Sequence, residues 1–249
     1  NRCPWYRDIV VCRNQIFLID WKESKVRIHG VHDGKLLYKS DRLESSPHAL
    51  HLINDTDIAV IMSNGLIKIM STHNTPVTRW TRDLRVQGGL DKYYGVVAFK
   101  GDLVVCGVKK NTACWCIVSS NDGHVVGTIH EICKVNLFVS SFISVKHNII
   151  YISCYVNSPD TGVIAYDVQN PSKIKYSYKH TDLKRPTGIA INHHGSLFVC
   201  NENDPYPCIH HLTSECQLVF IITQGLLPRI LNAIPLALLA IFWDDGLLY

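Results

Sequence analysis

The chain has 249 residues, 47% hydrophobic and 18% charged, which is enough apolar material to bury a core and excludes a disordered or low-complexity segment. Its 25 lysines and arginines against 21 aspartates and glutamates leave a formal charge of +4, short of the strongly basic balance of a dedicated nucleic-acid domain. Ten cysteines in a chain of this length fall below the density of a disulfide framework.

Taken from the start, Ile9 to Cys12 reads as a first strand and Gln15-Ile16-Phe17-Leu18-Ile19 as a second, with Asp33-Gly34 as a later turn. The same order then recurs. Ala49 to Ile53 precedes Asp57-Ile58-Ala59-Val60-Ile61 and the turn Asn74-Thr75, and Gly95 to Phe99 precedes Asp102-Leu103-Val104-Val105-Cys106 and Asp122-Gly123. Phe142 to Val145 precedes Asn148-Ile149-Ile150-Tyr151-Ile152 and Asn170-Pro171. In the best-formed repeat, Pro186 to Ile191, Leu197 to Cys200, Ile209 to Leu212 and Gln217 to Thr223 read as four strands. The first aliphatic position of each second strand falls at 16, 58, 103, 149 and 197, in steps of 42, 45, 46 and 48 residues.

A repeat of that length built from short strands predicts an all-β fold, a β-propeller, in which each repeat is one blade that buries its faces only against its neighbours. The inner strands are continuous apolar runs rather than alternating ones, as strands covered on both faces should be. Five four-stranded blades are recognisable, at about 5–40, 47–82, 94–131, 140–180 and 186–224, with an incomplete sixth over 228–249 that includes Leu238 to Trp243. The repeats predict a single propeller domain, a fragment of a longer protein. Leu197 is expected in the core, whereas Leu183, in a connection, is expected to matter less.

The stretch Pro186-Thr187-Gly188-Ile189-Ala190, then Gly195-Ser196-Leu197-Phe198-Val199, then Cys208-Ile209 resembles the NHL repeat, and the spacing of that resemblance covers nearly all of the chain. Leu227-Pro228 through Trp243-Asp244-Asp245-Gly246-Leu247 is similar to the last blade of tripartite-motif proteins that end in such a propeller. The resemblance implies a non-catalytic recognition scaffold that binds RNA or a partner protein, and a parent protein that is a ubiquitin ligase whose substrate this part selects. Two departures stand out. Asn201 occupies the usual Asp position and Cys208 the usual Arg position, so the charge pair that the family places there is missing.

The repeat register brings the connections from fourth to first strands to one end of the blades, and these carry many cations beside tyrosines. Arg42, Arg82, Arg85, Tyr93, Tyr94, Lys184 and Arg185 are therefore the expected ligand-binding face, able to meet phosphates or a peptide. Asp41, Glu44, Asp83, Asp91 and Asp182 dilute that charge. The alternative is a calcium-dependent six-bladed hydrolase or lyase of the lactonase type, with Asn201, Asn203, Asp204, Asp20 and Asn157 as candidate ligands. No acyl-transfer elbow, glycine-rich phosphate loop or zinc-protease helix occurs, so no catalytic residue is assigned and no cofactor is expected.

His193-His194 and His210-His211 do not predict a metal site, because neighbours on a strand point to opposite faces. Cys114 and Cys116 share a strand face and read as packing, as do the other cysteines in apolar runs. Buried free thiols point to a reducing compartment and a cytoplasmic location. No signal peptide is visible, and the uncharged run Ile230 to Trp243 is too short for a spanning helix, so no membrane partner is expected.

Overall fold

The computed structural model describes residues 6–72, 79–86, 89–134, 141–155, 161–192, 194–201 and 208–223, with backbone alone over 79–85, 133–134 and 141–143. The first sheet holds β1 (Tyr6–Cys12), β2 (Gln15–Asp20), β3 (Lys25–Gly30) and β4 (Leu36–Lys39). The second holds β5 (Pro47–Asn54), β6 (Asp57–Met62), β7 (Leu66–Ser71) and β8 (Arg79–Arg85). The third is β9 (Lys92–Phe99), β10 (Asp102–Lys109), β11 (Thr112–Val118) and β12 (Val125–Lys134). The fourth is β13 (Ser141–Lys146), β14 (Ile149–Cys154), β15 (Gly162–Asp167) and β16 (Asn170–Tyr178), and the fifth β17 (Pro186–Ile191), β18 (Leu197–Asn201), β19 (Cys208–Leu212) and β20 (Leu218–Thr223). Each sheet takes its strands in chain order with antiparallel neighbours, so the fold is a β-propeller of five four-stranded blades.

The expected second strands are all present, and tight reversals set their register. Lys100 and Gly101 between β9 and β10 take φ of 50° and 88°, and His147 and Asn148 between β13 and β14 take 49° and 64°. Positive φ at both central residues matches the twist of the flanking strands. The turn Asn74-Thr75 and the partial sixth blade over 228–249 lie outside the described residues.

Two boundaries differ from expectation in a way that moves site residues. Blade 2 runs on to Arg85 and blade 3 begins at Lys92, so Arg82 and Arg85 stand on a fourth strand and Tyr93 and Tyr94 on a first strand, none of them on a connection. The physical reason is that an outermost strand keeps much of its surface in water. Arg79, Arg82, Asp83 and Arg85 therefore give β8 the composition of a loop while its backbone pairs with β7 from Leu66↔Arg85 to Ser71↔Arg79.

The chain divides into two compact units, one of residues 1–110 and 114–129, the other of 111–113 and 130–249. In the first unit, Ile58, Val60 and Met62 of β6 join Phe17, Ile19, Val26 and Ile28 in a core between blades 1 and 2. Ala59 and Ile61 of the same strand enter a second core with Val96, Leu103, Val105 and Cys116 of blade 3. That two-sided burial is why β6 carries no polar residue beyond Asp57. In the second unit Tyr151, Val163 and Ala165 of blade 4 meet Leu197, Val199 and Leu212 of blade 5.

Candidate interaction surface

The connections from fourth to first strands are anchored rather than loose. Each described one inserts a leucine into the core beneath it: Leu43 after β4, Leu90 after β8 and Leu183 after β16, all at most 7% exposed. Backbone bonds fix them further. Leu43 N–H donates to Ser24 O at 2.7 Å, and Asp91 N–H donates to Val108 O at 2.7 Å while its carboxylate accepts Lys110 N–H at 2.7 Å. These bonds join each connection to the turn between second and third strands, so both belong to one end of a blade. Leu183, expected to be peripheral, is 2% exposed and packs with Tyr151, Tyr178 and Leu197.

In the second unit the anchor is a single side chain. Asn201, fully buried at the end of β18, accepts Lys184 N–H at 3.1 Å and Arg185 N–H at 2.9 Å on Oδ1. Its Nδ2 donates to Asp182 O and to Cys208 Sγ, the latter at 3.4 Å. The carboxamide therefore holds the connection itself. Blade 1 shows the charged version: Asp20, fully buried, pairs with Arg27 at 2.7 Å, and Arg27 also reaches Glu23 at 3.1 Å. Both residues offered as calcium ligands on described strands, Asp20 and Asn201, thus have their polar atoms engaged in holding the fold; Asn157, Asn203 and Asp204 lie outside the described residues.

Of the expected binding residues, Arg42, Lys184 and Arg185 are exposed on connections. The Arg185 guanidinium lies 5.7 Å from the Tyr155 ring centre, within cation–π range. Tyr93 points inward: it is 3% exposed, its hydroxyl accepts Leu90 N–H at 2.8 Å, and its ring covers Gly65, where an added Cβ would stand 3.1 Å away. It is a structural plug, and burial pushes its hydroxyl up to about 12. Tyr94 is partly buried, edge-on to His48 at 5.9 Å. For Arg82 and Arg85 only the backbone is described.

Several cations at the connection end of the first unit are already partnered by acids: Arg27 by Asp20 and Glu23, Lys39 by Glu23, and Lys68 by Glu44 at 3.1 Å. Trp21, 39% exposed, follows β2 on the turn whose Ser24 O holds Leu43, the neighbour of Arg42. Tyr155 follows β14 at the corresponding place in blade 4. Each unit thus carries an aromatic residue after a second strand and an exposed arginine on the connection at that end.

A second set of polar groups, on the first strands of the first unit, has no signature in the sequence. Asp8 accepts Ile9 N–H at 2.9 Å and Leu50 N–H at 2.7 Å, which ties β1 to β5, and burial pushes its carboxyl up to about 6. Burial holds His48 and His51 down at about 4, with the Arg7 charge adding to the effect on His48. In the second unit His210, fully buried, sits with Nδ1 2.7 Å from the Tyr178 hydroxyl and Nε2 3.5 Å from Cys208 Sγ. Burial first, then the neighbouring His180, pulls its pKa to about 4. His211 leaves the opposite face, stacked on Phe198 at 4.5 Å. Among the described residues no three His, Cys, Asp or Glu side chains converge as a metal site, and no helix is long and apolar enough to cross a membrane.

No known family profile matches the chain, and no curated protein matches it in sequence. Solved structures do match in fold. The chain is similar to a chain of the nidogen/laminin complex at 12% identity and a TM-score of 0.67, covering 87% of this chain and 79% of that one. It is similar to virginiamycin B lyase from Staphylococcus aureus at 13% identity and a TM-score of 0.61, covering 89% and 71%. It is also similar to the Dos1 propeller at 14% identity and 0.60, covering 93% and 61%. At such identities the likeness shows a β-propeller and nothing of its chemistry.

Proposed function

We propose that this propeller is a non-catalytic recognition scaffold that binds a partner protein through the connection ends of its blades. The observation that carries this reading is the mixed, partnered charge there. An RNA-binding face needs a run of cations free to neutralise phosphates. Here Arg27, Lys39 and Lys68 are held by Asp20, Glu23 and Glu44, while exposed Trp21 and Arg42 in one unit and Arg185 beside Tyr155 in the other are residue types that dominate protein interfaces. The buried polar groups argue against catalysis: Asp20 and Asn201 hold backbone or ion pairs, and His210 and Cys208 face each other away from solvent.

Similarity to a chain of the nidogen/laminin complex supports protein recognition as a use of such a scaffold. The NHL and tripartite-motif resemblance supports a parent ubiquitin ligase whose substrate this part selects, and the buried thiols support a cytoplasmic location. The test is a photo-crosslinking amino acid placed at Trp21 or Tyr155, with exposed Ile174 of β16 as the control position. Protein crosslinks from the first two positions, lost on R42E/R185E, are expected. Crosslinks to RNA instead, or equal protein crosslinks from Ile174, overturn the reading.

A further inference from the structure

We infer that the shelf formed by Tyr155, Lys184 and Arg185 in the second unit binds an acidic peptide segment of the partner, a reading that rests on the recognition function proposed above. The shelf is pre-formed. Leu183 N–H donates to His180 O at 3.0 Å, Asp182 N–H to His180 Nδ1 at 3.2 Å, and Lys184 and Arg185 N–H both to Asn201 Oδ1, with the Leu183 side chain buried beneath. Little backbone freedom is left for a ligand to remove, which favours affinity for a given set of contacts. The bonds hold the backbone and leave the Lys184 and Arg185 side chains exposed, with Arg185 over the Tyr155 ring.

Two adjacent cations call for carboxylates, and the Tyr155 ring offers apolar contact beside them. The Asp182 carboxylate, 66% exposed on the same loop, decides between acidic ligands. A nucleic-acid strand bears a phosphate at every step and would meet that carboxylate with like charge. A peptide can place a backbone N–H or a basic side chain there and its acids opposite Lys184 and Arg185.

The experiment is fluorescence anisotropy with a labelled decapeptide of alternating Glu and Gly, its Gln/Gly analogue, and a labelled ten-nucleotide single-stranded RNA. Binding of the acidic peptide alone is expected, weakened about tenfold or more by K184E/R185E, whose changes are exposed and leave the core intact, and unchanged by K173E on the outer strand β16. Asn201→Asp should weaken it too, through loss of the donors to Asp182 O and Cys208 Sγ; since this variant is able to unfold the blade, K184E/R185E is the deciding variant. Equal binding by K184E/R185E, or preference for the RNA, overturns the inference. If the acidic peptide fails while Tyr155 still crosslinks protein, the shelf assignment is wrong and the recognition function stands; if both fail, both are wrong.

Discussion

Asn201 Oδ1 accepts the backbone N–H of Arg185 at 2.9 Å, so one buried carboxamide at the end of a strand fixes a solvent-facing connection sixteen residues earlier in the chain. Replacing it with alanine leaves the Arg185 N–H without its acceptor and the Lys184 N–H with only its bond to Asp182 O at 3.1 Å. Asn201→Ala should therefore cost about 1–3 kcal/mol, the range for stranding buried polar groups. Amide hydrogen exchange should quicken at Lys184 and Arg185 more than in β18. Protection unchanged at those two amides would show that the connection does not depend on the carboxamide.

Leu183→Ala should cost about 2–5 kcal/mol, as much as Leu197→Ala, because both side chains lie in the same core at 2% and 0% exposure. Denaturant midpoints with an unchanged slope measure it. A clearly smaller loss at Leu183 would return it to the surface role that its place between strands suggests.

The five second strands and their period were legible because strands covered on both faces tolerate little but apolar residues, as Ile58 to Met62 show by facing two cores at once. Not every fourth strand was, since the charged sequence Arg79 to Arg85 reads as a loop although its backbone pairs with β7. Leu43 and Leu90 escaped notice and Leu183 was read as peripheral for the opposite reason: a single buried leucine within a polar connection has no periodicity to betray it. Asp8 and Asn201 satisfy partners distant in sequence, and no local pattern records such pairing. For the binding face, sequence picked out the exposed Arg42, Lys184 and Arg185 but also Tyr93, whose inward turn is set by Gly65 of the preceding blade.

Cys12, Cys106, Cys114, Cys116, Cys154, Cys200, Cys208 and Cys216 all carry reduced, buried thiols, and burial pushes Cys116 and Cys216 up to about 12. Thiolate, the reactive form, is thus scarce at Cys116 and Cys216. Titration of the native protein with a thiol reagent near neutral pH should show these eight silent until denaturant is added. Fast labelling of any of them, located by peptide mapping, would contradict the burial.

Acid should unfold the protein through its histidines. His48, His51 and His210 have folded-state values near 4, below the ordinary value of about 6.5, so the unfolded chain binds their protons more readily and stability falls as pH drops from about 6.5 toward 4. Asp8 acts in the opposite sense: its folded value near 6 lies above the ordinary one of about 3.9, so the folded chain gains its proton first and stability rises as pH falls across that window. These three histidines, joined by His130, whose pKa burial also lowers, outweigh Asp8 and leave a net loss on acidification. Tm measured from pH 7 to pH 4.5 should fall; Asp8→Asn, which removes the opposing proton, should fall more steeply, and His51→Asn less steeply. If the two variants shift Tm by a constant amount at every pH, the folded-state values of Asp8 and His51 are ordinary and the buried charges do not govern acid stability.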